Sequence, residues 1–477
     1  MVEIFSIGGY DEVGKNMSAV KIGDDVILLD AGIFLPAVID HQESETERGE
    51  TKQVELSEFK MRSIGAIPDD LILDNLGLRN KVRALLIGHA HLDHVGAVPF
   101  IAPRYKADVV GTPFTIEVLK QIMNDSPNRK SNQNKSQNRF QNKSQEMRDI
   151  QQSLRNPLRV VQPNSSYNVK GKSKNYQVEF LNMTHSTPQT ALMVVHTPEG
   201  AIVYSNDYKL DNSPVLGNKP NYEAMKRLSK TGVKALIIDS LYASDERKTP
   251  SEKIARDLVE EVLLTVNNEN KGIIVSTFSS HIARLKSVVD FSKKLDREIV
   301  FLGRSLGKYV RASIDAKICP FEKDIKVAFY KKQVESMLKK VNKNKDKYVV
   351  VCTGHQGEPG SILDRIARKK LPYDLSSDDN VIFASKTIPV SVNIANKGQL
   401  DKRLKKDRVR IFDNVHVSGH GGREDARDLI KILNPEHVIP SHGDTQKLIP
   451  MIELCKEMGY KFGKNCHLMQ NSQKLKI

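Results

Sequence analysis

Residues 87–98 read IGHAHLDHVGAV, with three histidines and an aspartate within six positions. The stretch directly follows the apolar run VRALLI, which is typical of a buried strand. In an extended loop, residues two apart point the same way, so His89 and His91 can bind one metal ion together. Asp93 and His94 follow at a spacing that lets the chain turn and offer ligands to a second ion. The stretch therefore predicts a two-metal site at the end of a strand.

Four residues cannot complete two metal sites, so further ligands are expected after other strands. His185 in MTHSTPQT, Asp207 in VYSNDYKLD and His442 in IPSHGD each follow an apolar, strand-like run. Each of these residues alone would be a weak indication of a metal site. Together they predict that several strands, arranged in a sandwich of sheets, bring their ends to one place.

Length and charge limit the class of protein. A chain of 477 residues exceeds what one hydrophobic core usually supports, so two or more domains are expected. A net charge of +15 and a pI near 9.3 favour a polyanionic partner, with nucleic acid first and an acidic membrane second. No apolar run reaches the roughly 20 residues that span a bilayer. The four cysteines are scattered without CxxC pairs, which predicts reduced thiols in a cytoplasmic protein.

Two polar segments interrupt the strand pattern. Residues 37–62 are acidic and are predicted to form an inserted surface loop. Residues 124–152 are rich in Asn, Gln, Ser and Lys, which predicts disorder or a mobile loop. For the second segment, contact with RNA and a merely tolerated insertion both stay open. After Asp211, helices and apolar strands alternate to about residue 400, which favours an α/β sheet domain.

The ligand motifs resemble those of the metallo-β-lactamase superfamily, which implies an αββα sandwich. The resemblance implies that one metal is bound by His89, His91, His185 and Asp207, and the other by Asp93, His94, His442 and the shared Asp207. Asp30 in VILLDAG matches an aspartate that orients the ligands. Two ions sharing a hydroxide suit phosphodiester hydrolysis. Nitrogen and carboxylate ligands favour zinc as the divalent ion, with manganese as the alternative.

The α/β insertion resembles that of the β-CASP nucleases, in which an inserted domain forms one wall of a nucleic-acid channel. Their conserved acid corresponds to Asp239 in LIIDSLYAS, and their two histidine motifs correspond to His420 in VSGHGG and to His442. The resemblance implies that Asp239 orients and charges His420, which protonates the leaving 3′-oxygen as general acid. Asp93 completes the residues assigned to catalysis.

Four blocks are similar to signatures of the ribonuclease J family: GGYDEVGKNM (8–17), STFSSHIARL (276–285), TGHQGEPGSILDRIA (353–367) and VHVSGHGG (415–422). The family implies 5′→3′ exoribonuclease action on single-stranded RNA with a 5′-monophosphate, and endonuclease activity in some members. The predicted partners are RNA and a second copy of the chain in a homodimer, with no membrane.

The resemblance also predicts the domain boundaries and some departures from the family. Residues 1–210 and 416–477 are assigned to the metallo-β-lactamase domain and residues 211–415 to the β-CASP domain. About 35 residues follow His442, which leaves no room for the additional C-terminal domain of many bacterial members and predicts a short, archaeal-type form. Asn206 stands where many relatives have glycine, so that turn is expected to shift slightly.

A pocket of hydroxyls and backbone N–H groups is expected to bind the terminal phosphate. The predicted members are Ser418, Gly419 and His420, faced by Ser279, Ser280 and Arg284. For Arg284, a solvated position on a helix is an equal alternative. His355 and Glu358 lie in a glycine-rich turn, where a structural or RNA-lining role is favoured over catalysis.

Three other functions are weighed against the exoribonuclease. A β-CASP endoribonuclease of the RNA 3′-end-processing type is disfavoured by the ribonuclease J-like blocks. A small-molecule metallohydrolase, acting on a thioester or a lactam, is disfavoured by the long insertion and the charge of +15. A non-catalytic RNA-binding relative is disfavoured because every expected ligand is present.

Overall fold

The computed structural model describes residues 1–47, 57–124, 154–377, 379–388 and 391–477. Its strands form three sheets, two of which pack face to face while the third belongs to an inserted domain. The prediction for residues 124–152 lies, apart from Asn124, outside the described residues.

The first sheet has seven strands: β1 (Val2–Gly8), β2 (Met17–Ile22), β3 (Asp25–Leu29), β4 (Val82–Ile87), β5 (Asp108–Gly111), β6 (Leu158–Val160) and β19 (Gln473–Lys476). Its spatial order starts at β19 and then follows the chain from β1 to β6. From β3 to β6 all neighbours are parallel, so the carboxyl ends of these strands lie at one edge.

The second sheet has six strands: β7 (Ser165–Lys170), β8 (Asn175–Asn182), β9 (Ala191–Thr197), β10 (Gly200–Tyr204), β11 (Val233–Asp239) and β18 (His437–Ser441). Its order is β18–β11–β10–β9–β8–β7, with β10, β11 and β18 parallel. Val20 and Ile27 of the first sheet share one core with Val178 and Ile202 of the second. The two sheets therefore bury their facing sides against each other.

The third sheet is entirely parallel and comprises β12 (Ile273–Ser276), β13 (Glu298–Leu302), β14 (Ile325–Ala328), β15 (Tyr348–Cys352), β16 (Asn380–Phe383) and β17 (Arg410–Phe412). Its order is β14–β13–β15–β12–β16–β17. The four central strands are short, continuous apolar runs, as expected where helices cover both faces of a sheet.

Fifteen α-helices connect the strands within the described ranges: α1 (Leu35–Glu47), α2 (Glu58–Ser63), α3 (Leu71–Asn75), α4 (Leu92–Val95), α5 (Val98–Ile101), α6 (Pro113–Asn124), α7 (Tyr222–Thr231), α8 (Glu252–Leu264), α9 (Ile282–Lys294), α10 (Arg304–Asp315), α11 (Lys331–Lys343), α12 (Ile362–Ala367), α13 (Ser391–Lys406), α14 (Arg423–Leu433) and α15 (Thr445–Glu457). Helices α7, α14 and α15 cover the outer face of the second sheet, and α2 and α5 pack on the first. The predicted αββα sandwich with an inserted α/β domain is thus confirmed.

Two details differ from expectation. Strand β11 pairs with β10 and β18, so the inserted domain begins after Asp239 and not at residue 211. The apolar sequence of β11 does not show which sheet the strand joins, because parallel strands of either sheet have the same pattern. The loop expected over residues 37–62 is helical where it is described, in α1 and α2, and residues 48–56 lie outside the described part. In the described part of the chain, no helix is long and apolar enough to cross a membrane.

Candidate metal centre and nucleic-acid site

The loop after β4 carries four of the predicted ligands. His89 and His91 lie in the extended segment, and Asp93 and His94 lie in the single turn of α4 that starts after His91. His89 and His94 are buried, with side chains 0% and 1% exposed. The change from extended chain to helix turns the second pair away from the first, as the spacing predicted.

The second sheet brings the remaining ligands to the same place. Asp207 follows β10 and His442 follows β18, while His185 comes after β8. The candidate ligand atoms form three overlapping groups whose members lie within 4.8 Å of one another. Two of these groups are His89, His91, His185 and Asp207, and Asp93, His94, His442 and Asp207; the third joins Asp207 and His442 to Asp239 and His420. The first two groups are the sets that the resemblance implied.

Several side-chain atoms in these groups are buried and have no hydrogen-bond partner among the described residues: His89 Nε2, Asp207 Oδ1 and His442 Nδ1. Asp207 lies between the groups, with Oδ2 3.3 Å from His89 Nε2 and Oδ1 3.1 Å from His94 Nε2. Buried polar atoms without partners are costly, and imidazole and carboxylate ligands match divalent transition metals. The residues therefore fit two metal ions that share Asp207.

Protonation in the cluster follows from charge and burial. Burial opposes ionisation of Asp207, but the imidazoles of His94 and His442 outweigh it and hold the pKa of this carboxyl well below its ordinary value. Burial lowers the pKa of His91 to about 3 and that of His185 well below its ordinary value. Burial disfavours the charged form of His94, but the Asp207 carboxylate and two further carboxylates outweigh it and raise the pKa of His94 well above its ordinary value. Because neutral imidazole and ionised carboxylate are the forms that bind metals, His94 must release a proton when a metal binds.

Asp30 fixes the orientation of His94 and of the loop that carries it. It follows β3 with φ of +61°, a left-handed conformation that aspartate adopts more readily than most residues. His94 Nδ1–H donates to Asp30 Oδ2 (2.6 Å), and the Gly88 N–H donates to Asp30 Oδ1 (2.8 Å). Asp30 thereby turns His94 Nε2 toward the cluster, where it lies 3.0 Å from Asn16 Nδ2 and 3.1 Å from Asp207 Oδ1. An orienting role is what the resemblance implied for Asp30.

Backbone carbonyls fix two further ligands. His185 Nδ1–H donates to the Gly419 carbonyl oxygen (2.7 Å), and the backbone N–H of His442 donates to the Gly9 carbonyl oxygen (2.7 Å). A Cβ at Gly419 would lie 3.0 Å from the His185 ring, so a larger residue would press on this ligand. Both partners come from the family-like blocks at residues 8–17 and 415–422.

Asn206 has a role that sequence reasoning missed. Its φ is +59°, which asparagine tolerates, and its Oδ1 accepts hydrogen bonds from His89 Nδ1–H (2.8 Å) and from the Asp207 N–H (2.9 Å). It therefore orients two ligands at once, where a glycine would orient neither through a side chain. The signal was present as an asparagine directly before a ligand, but it suggested only a shifted turn.

We expect Asn206→Gly to weaken metal binding by about 10- to 100-fold, because the backbone conformation survives while both hydrogen bonds are lost. Asn206→Asp keeps the acceptor and should lose much less. Metal affinity measured by competition with a chelator distinguishes these outcomes. Equal affinity of Asn206→Gly and the unmodified protein would exclude the orienting role.

His420 and Asp239 form a pair beside the cluster. Asp239 ends β11, and its Oδ2 accepts a hydrogen bond from His420 Nδ1–H (2.8 Å). His420 Nε2 is 3.8 Å from Asp207 Oδ2. Burial disfavours the charged imidazole, but the carboxylates of Asp207 and Asp239 outweigh it and raise the pKa of His420 to about 9. A protonated His420 is therefore placed at the edge of the metal-ligand groups.

The carboxyl edge of the third sheet faces this centre. Ser280 Oγ is 3.0 Å from His91 Nε2. Ser279, His355 and Ser385 follow the neighbouring strands β12, β15 and β16, and all three are buried. The hydroxyls of Ser279 and Ser385 and both ring nitrogens of His355 have no hydrogen-bond partner among the described residues, although Glu358 Oε1 lies 4.0 Å from His355 Nδ1. Buried groups of this kind are candidates for ligand contact.

Ser418 and Arg284 differ in what they can still bind. Ser418 Oγ accepts the His420 N–H (3.0 Å), donates to the His420 carbonyl oxygen (3.2 Å) and stays partly exposed. Arg284 is 0% exposed, and its guanidinium donates to Glu252 (2.7 and 2.9 Å) and to the carbonyl oxygens of Ala384 (2.6 Å) and Val415 (3.0 Å). The prediction that Arg284 contacts RNA is therefore wrong, because its donors are used to join the segments that enter and leave the inserted domain.

Comparison with known proteins agrees with this architecture. The metallo-beta-lactamase superfamily matches residues 10–238, the Ribonuclease J beta-CASP domain matches residues 270–398, and the Zn-dependent metallo-hydrolase RNA specificity domain matches residues 408–469. Ribonuclease J of Methanocaldococcus jannaschii is 40% identical over 99% of this chain and 98% of its own length. The chain belongs to the ribonuclease J family.

Other ribonuclease J proteins extend the comparison. That of Pyrococcus abyssi is 38% identical over the whole chain and 97% of its own length. Ribonuclease J 1 of Streptococcus pyogenes is 28% identical, and the match covers 74% of that relative. A solved structure of a protein of unknown function from Enterococcus faecalis shares the fold, with a TM-score of 0.62, 15% identity and 99% coverage of both chains.

Proposed function

We propose that this member of the ribonuclease J family is a metal-dependent 5′→3′ exoribonuclease acting on single-stranded RNA with a 5′-monophosphate. The observation that carries the proposal is the Asp239–His420 pair, which offers an acidic proton beside Asp207, the carboxylate common to both ligand groups. Phosphodiester hydrolysis needs stabilisation of the negative charge on the phosphate and a proton for the leaving oxygen. The candidate metal ligands serve the first need, and the Asp239–His420 pair serves the second.

The two groups that share Asp207 would each hold one divalent ion, with zinc preferred and manganese as the alternative. When bound, such ions lower the pKa of water and neutralise charge on phosphate oxygens. The residues of the chain then have distinct tasks. Asp30 and Asn206 accept the Nδ1–H of the His94 and His89 imidazoles and so turn the Nε2 atoms toward the cluster. Asp93 adds a carboxylate whose pKa is lowered chiefly by His94, against the opposing effect of burial.

His420 acts as the general acid in this proposal. Asp239 holds its Nδ1–H, so the ring presents the proton on Nε2 toward the centre. That proton passes to the 3′-oxygen that leaves the cleaved phosphate. Thr249 fixes the loop, because its hydroxyl donates to the His420 carbonyl oxygen (2.8 Å).

The preference for a 5′-monophosphate is assigned to the carboxyl edge of the third sheet. Ser279, His355 and Ser385 offer unbonded polar groups there, and Ser280, Ser418 and Gly419 lie beside the metal ligands. A terminal phosphate bound at this edge would place the first internucleotide bond near Asp207. An RNA that must be bound by its end is shortened one nucleotide at a time.

The test uses RNA labelled at either end and carrying a 5′-monophosphate, a triphosphate or a hydroxyl, with zinc or manganese added. We expect labelled mononucleotide to be released at once from the 5′ end, fastest with the monophosphate. Internal fragments that appear first would favour the endoribonuclease, and endonuclease activity that accompanies the exonuclease would give both products. No cleavage of RNA would exclude both nucleases.

We expect Ser279→Ala and His355→Ala to reduce the preference for 5′-monophosphate over 5′-hydroxyl RNA by about 10-fold, since each removes one hydrogen bond to a charged group. Ser336→Ala, at an exposed position of the same domain, is the matched control. The ratio of kcat/KM for the two RNAs measures the effect. A ratio like that of the control would remove the residue from the phosphate pocket.

Two further assignments accompany the proposal. The homodimer predicted from the resemblance stays a prediction that measurement of the mass in solution would test. The cytoplasmic location likewise stays a prediction, supported by four cysteines that are free in the structure.

A further inference from the structure

The positive charge of the chain is concentrated in three segments of the inserted domain. Residues 331–347, 364–370 and 397–410 together carry eighteen Lys or Arg and five Asp or Glu. Their net charge of +13 is most of the +15 of the whole chain, although they make up 38 of its 477 residues. If the net charge were spread evenly along the chain, these three segments would carry roughly +1.

The three segments meet on one face of the third sheet. Val334 of α11, Ile366 of α12 and Leu404 of α13 pack into the same core on this face. Arg403 Nη1 is 3.3 Å from Asp364 Oδ1, which joins α13 to α12. The opposite face of the sheet packs with Phe114 of the sandwich. The basic segments thus form one continuous face that is turned away from the sandwich.

This face extends from the catalytic edge of the sheet to the far edge. Helices α11 and α13 follow β14 and β16 and return to the starts of β15 and β17. Lys331 and Lys332 therefore lie near the edge where the strands end, and Lys347 and Arg410 lie where they begin. The 16 residues of α13 correspond to about 24 Å.

Most of these charges are not used by the fold. Among the described residues, no carboxylate lies within 4 Å of the exposed amino groups of Lys331, Lys343, Lys347, Lys402, Lys405 and Lys406. Cations at the end of a helix are favoured by the helix dipole, which accounts for some of them. Lys331 and Lys332 occupy the first turn of α11, where the dipole disfavours a cation. Stability of the helices therefore does not explain the face.

We propose that this face, here called the distal basic surface, binds the phosphate backbone of RNA outside the catalytic cleft. It holds the body of a long RNA while another part of the strand lies in the catalytic cleft, and the inference rests on the proposed function only in taking RNA as the substrate. Tyr330 and Ile394 are exposed at the starts of α11 and α13, but between Lys339 and Lys347 and between Lys402 and Arg410 no large apolar side chain is exposed. A protein interface needs such anchors, whereas phosphate binding needs only the charges.

The experiment compares two sets of five substitutions in the full chain. The first set removes charge from the surface: K343Q, K347Q, K402Q, K405Q and K406Q. The matched control removes five exposed lysines of the sandwich: K226Q, K230Q, K456Q, K461Q and K464Q. The probes are 5′-monophosphorylated RNAs of 60 and 8 nucleotides. Kd is measured with chelator present at several salt concentrations, and thermal melting checks that both variants are folded.

We expect the first set to raise the Kd for the 60-nucleotide RNA at least 10-fold, relative to the control set. For the first set, the slope of the logarithm of the association constant against the logarithm of the salt concentration should be smaller in magnitude by about 2 to 3. Each phosphate contact to a single strand contributes about 0.7 to that slope. The Kd and the turnover of the 8-nucleotide RNA should change less than 2-fold.

Equal Kd values of the two sets for the 60-nucleotide RNA would overturn the proposal. So would a loss of affinity for the 8-nucleotide RNA that is as large as the loss for the 60-nucleotide RNA. A surface reserved for an acidic protein would give the first of these results. Because Kd is measured without metal, the comparison does not depend on exonuclease activity. If the proposed function failed, turnover would be absent in every variant while the difference in Kd would remain.

Discussion

Asp207→Asn is expected to lower phosphodiester cleavage by about three orders of magnitude or more, since a bound metal supplies several kcal/mol of transition-state stabilisation. Asp207 is the one residue that the two predicted ligand groups share, so this substitution weakens both metal positions. An asparagine oxygen has the same shape as the carboxylate oxygen, but it lacks the charge that the neighbouring imidazoles stabilise. Metal content after dialysis and single-turnover cleavage measure the two consequences.

The matched control is Asp69→Asn, an exposed aspartate of the same domain. It should keep both the bound metal and the cleavage rate. RNA binding measured in chelator should be unchanged or slightly stronger in Asp207→Asn, because a buried negative charge is removed. Full cleavage with normal metal content in Asp207→Asn would refute the shared-ligand assignment. His94→Ala should likewise abolish cleavage and leave RNA binding intact.

The second large effect is expected at the His420–Asp239 pair. His420→Ala removes the proposed general acid and should lower kcat by about 10²- to 10⁴-fold, with little change in metal content. Asp239→Asn keeps the ring but replaces the carboxylate that accepts its Nδ1–H. It should lower kcat less than His420→Ala does, and the double variant should lose little more than His420→Ala, because both residues serve one proton transfer.

The pH dependence of Asp239→Asn gives a second readout. The carboxylate of Asp239 is one of the groups that raise the pKa of His420 to about 9, so its removal lowers that pKa. The imidazole then loses its proton at lower pH, and the alkaline limb of the kcat profile should move to lower pH. An RNA with a better leaving group should recover much of the lost rate. An unchanged alkaline limb would argue that His420 is not the acid.

Much of the fold was predictable because its signals are local. Apolar runs of four or five residues mark the strands β4, β11 and β15, and amphipathic stretches mark helices such as α6 and α9. The boundary of the inserted domain was not predictable from these signals. Strand β11 looks like the strands of the third sheet in sequence, and only its pairing with β10 and β18 places it in the sandwich.

The candidate site was also predictable only in part. His89, His91, Asp93 and His94 could be identified because they are crowded within six residues, and His185, Asp207 and His442 because each follows a strand. Arg284 was misassigned because its partners lie far away in the sequence and hold it in the interior. A helical arginine between apolar residues has the same local pattern whether its head reaches solvent or a buried carboxylate.

By itself the sequence determined the kinds of ligand, the order of the strands that carry them and the size of the positive charge, since these depend on residue type and local spacing. The tertiary structure decided which groups meet: Asp239 with His420, Asn206 with His89, and three basic segments on one face. These contacts join residues separated by up to 181 positions, and hydrogen bonds and charge interactions depend on distance in space. The histidine-rich stretch predicted the metals, and the folded chain placed the acid beside them.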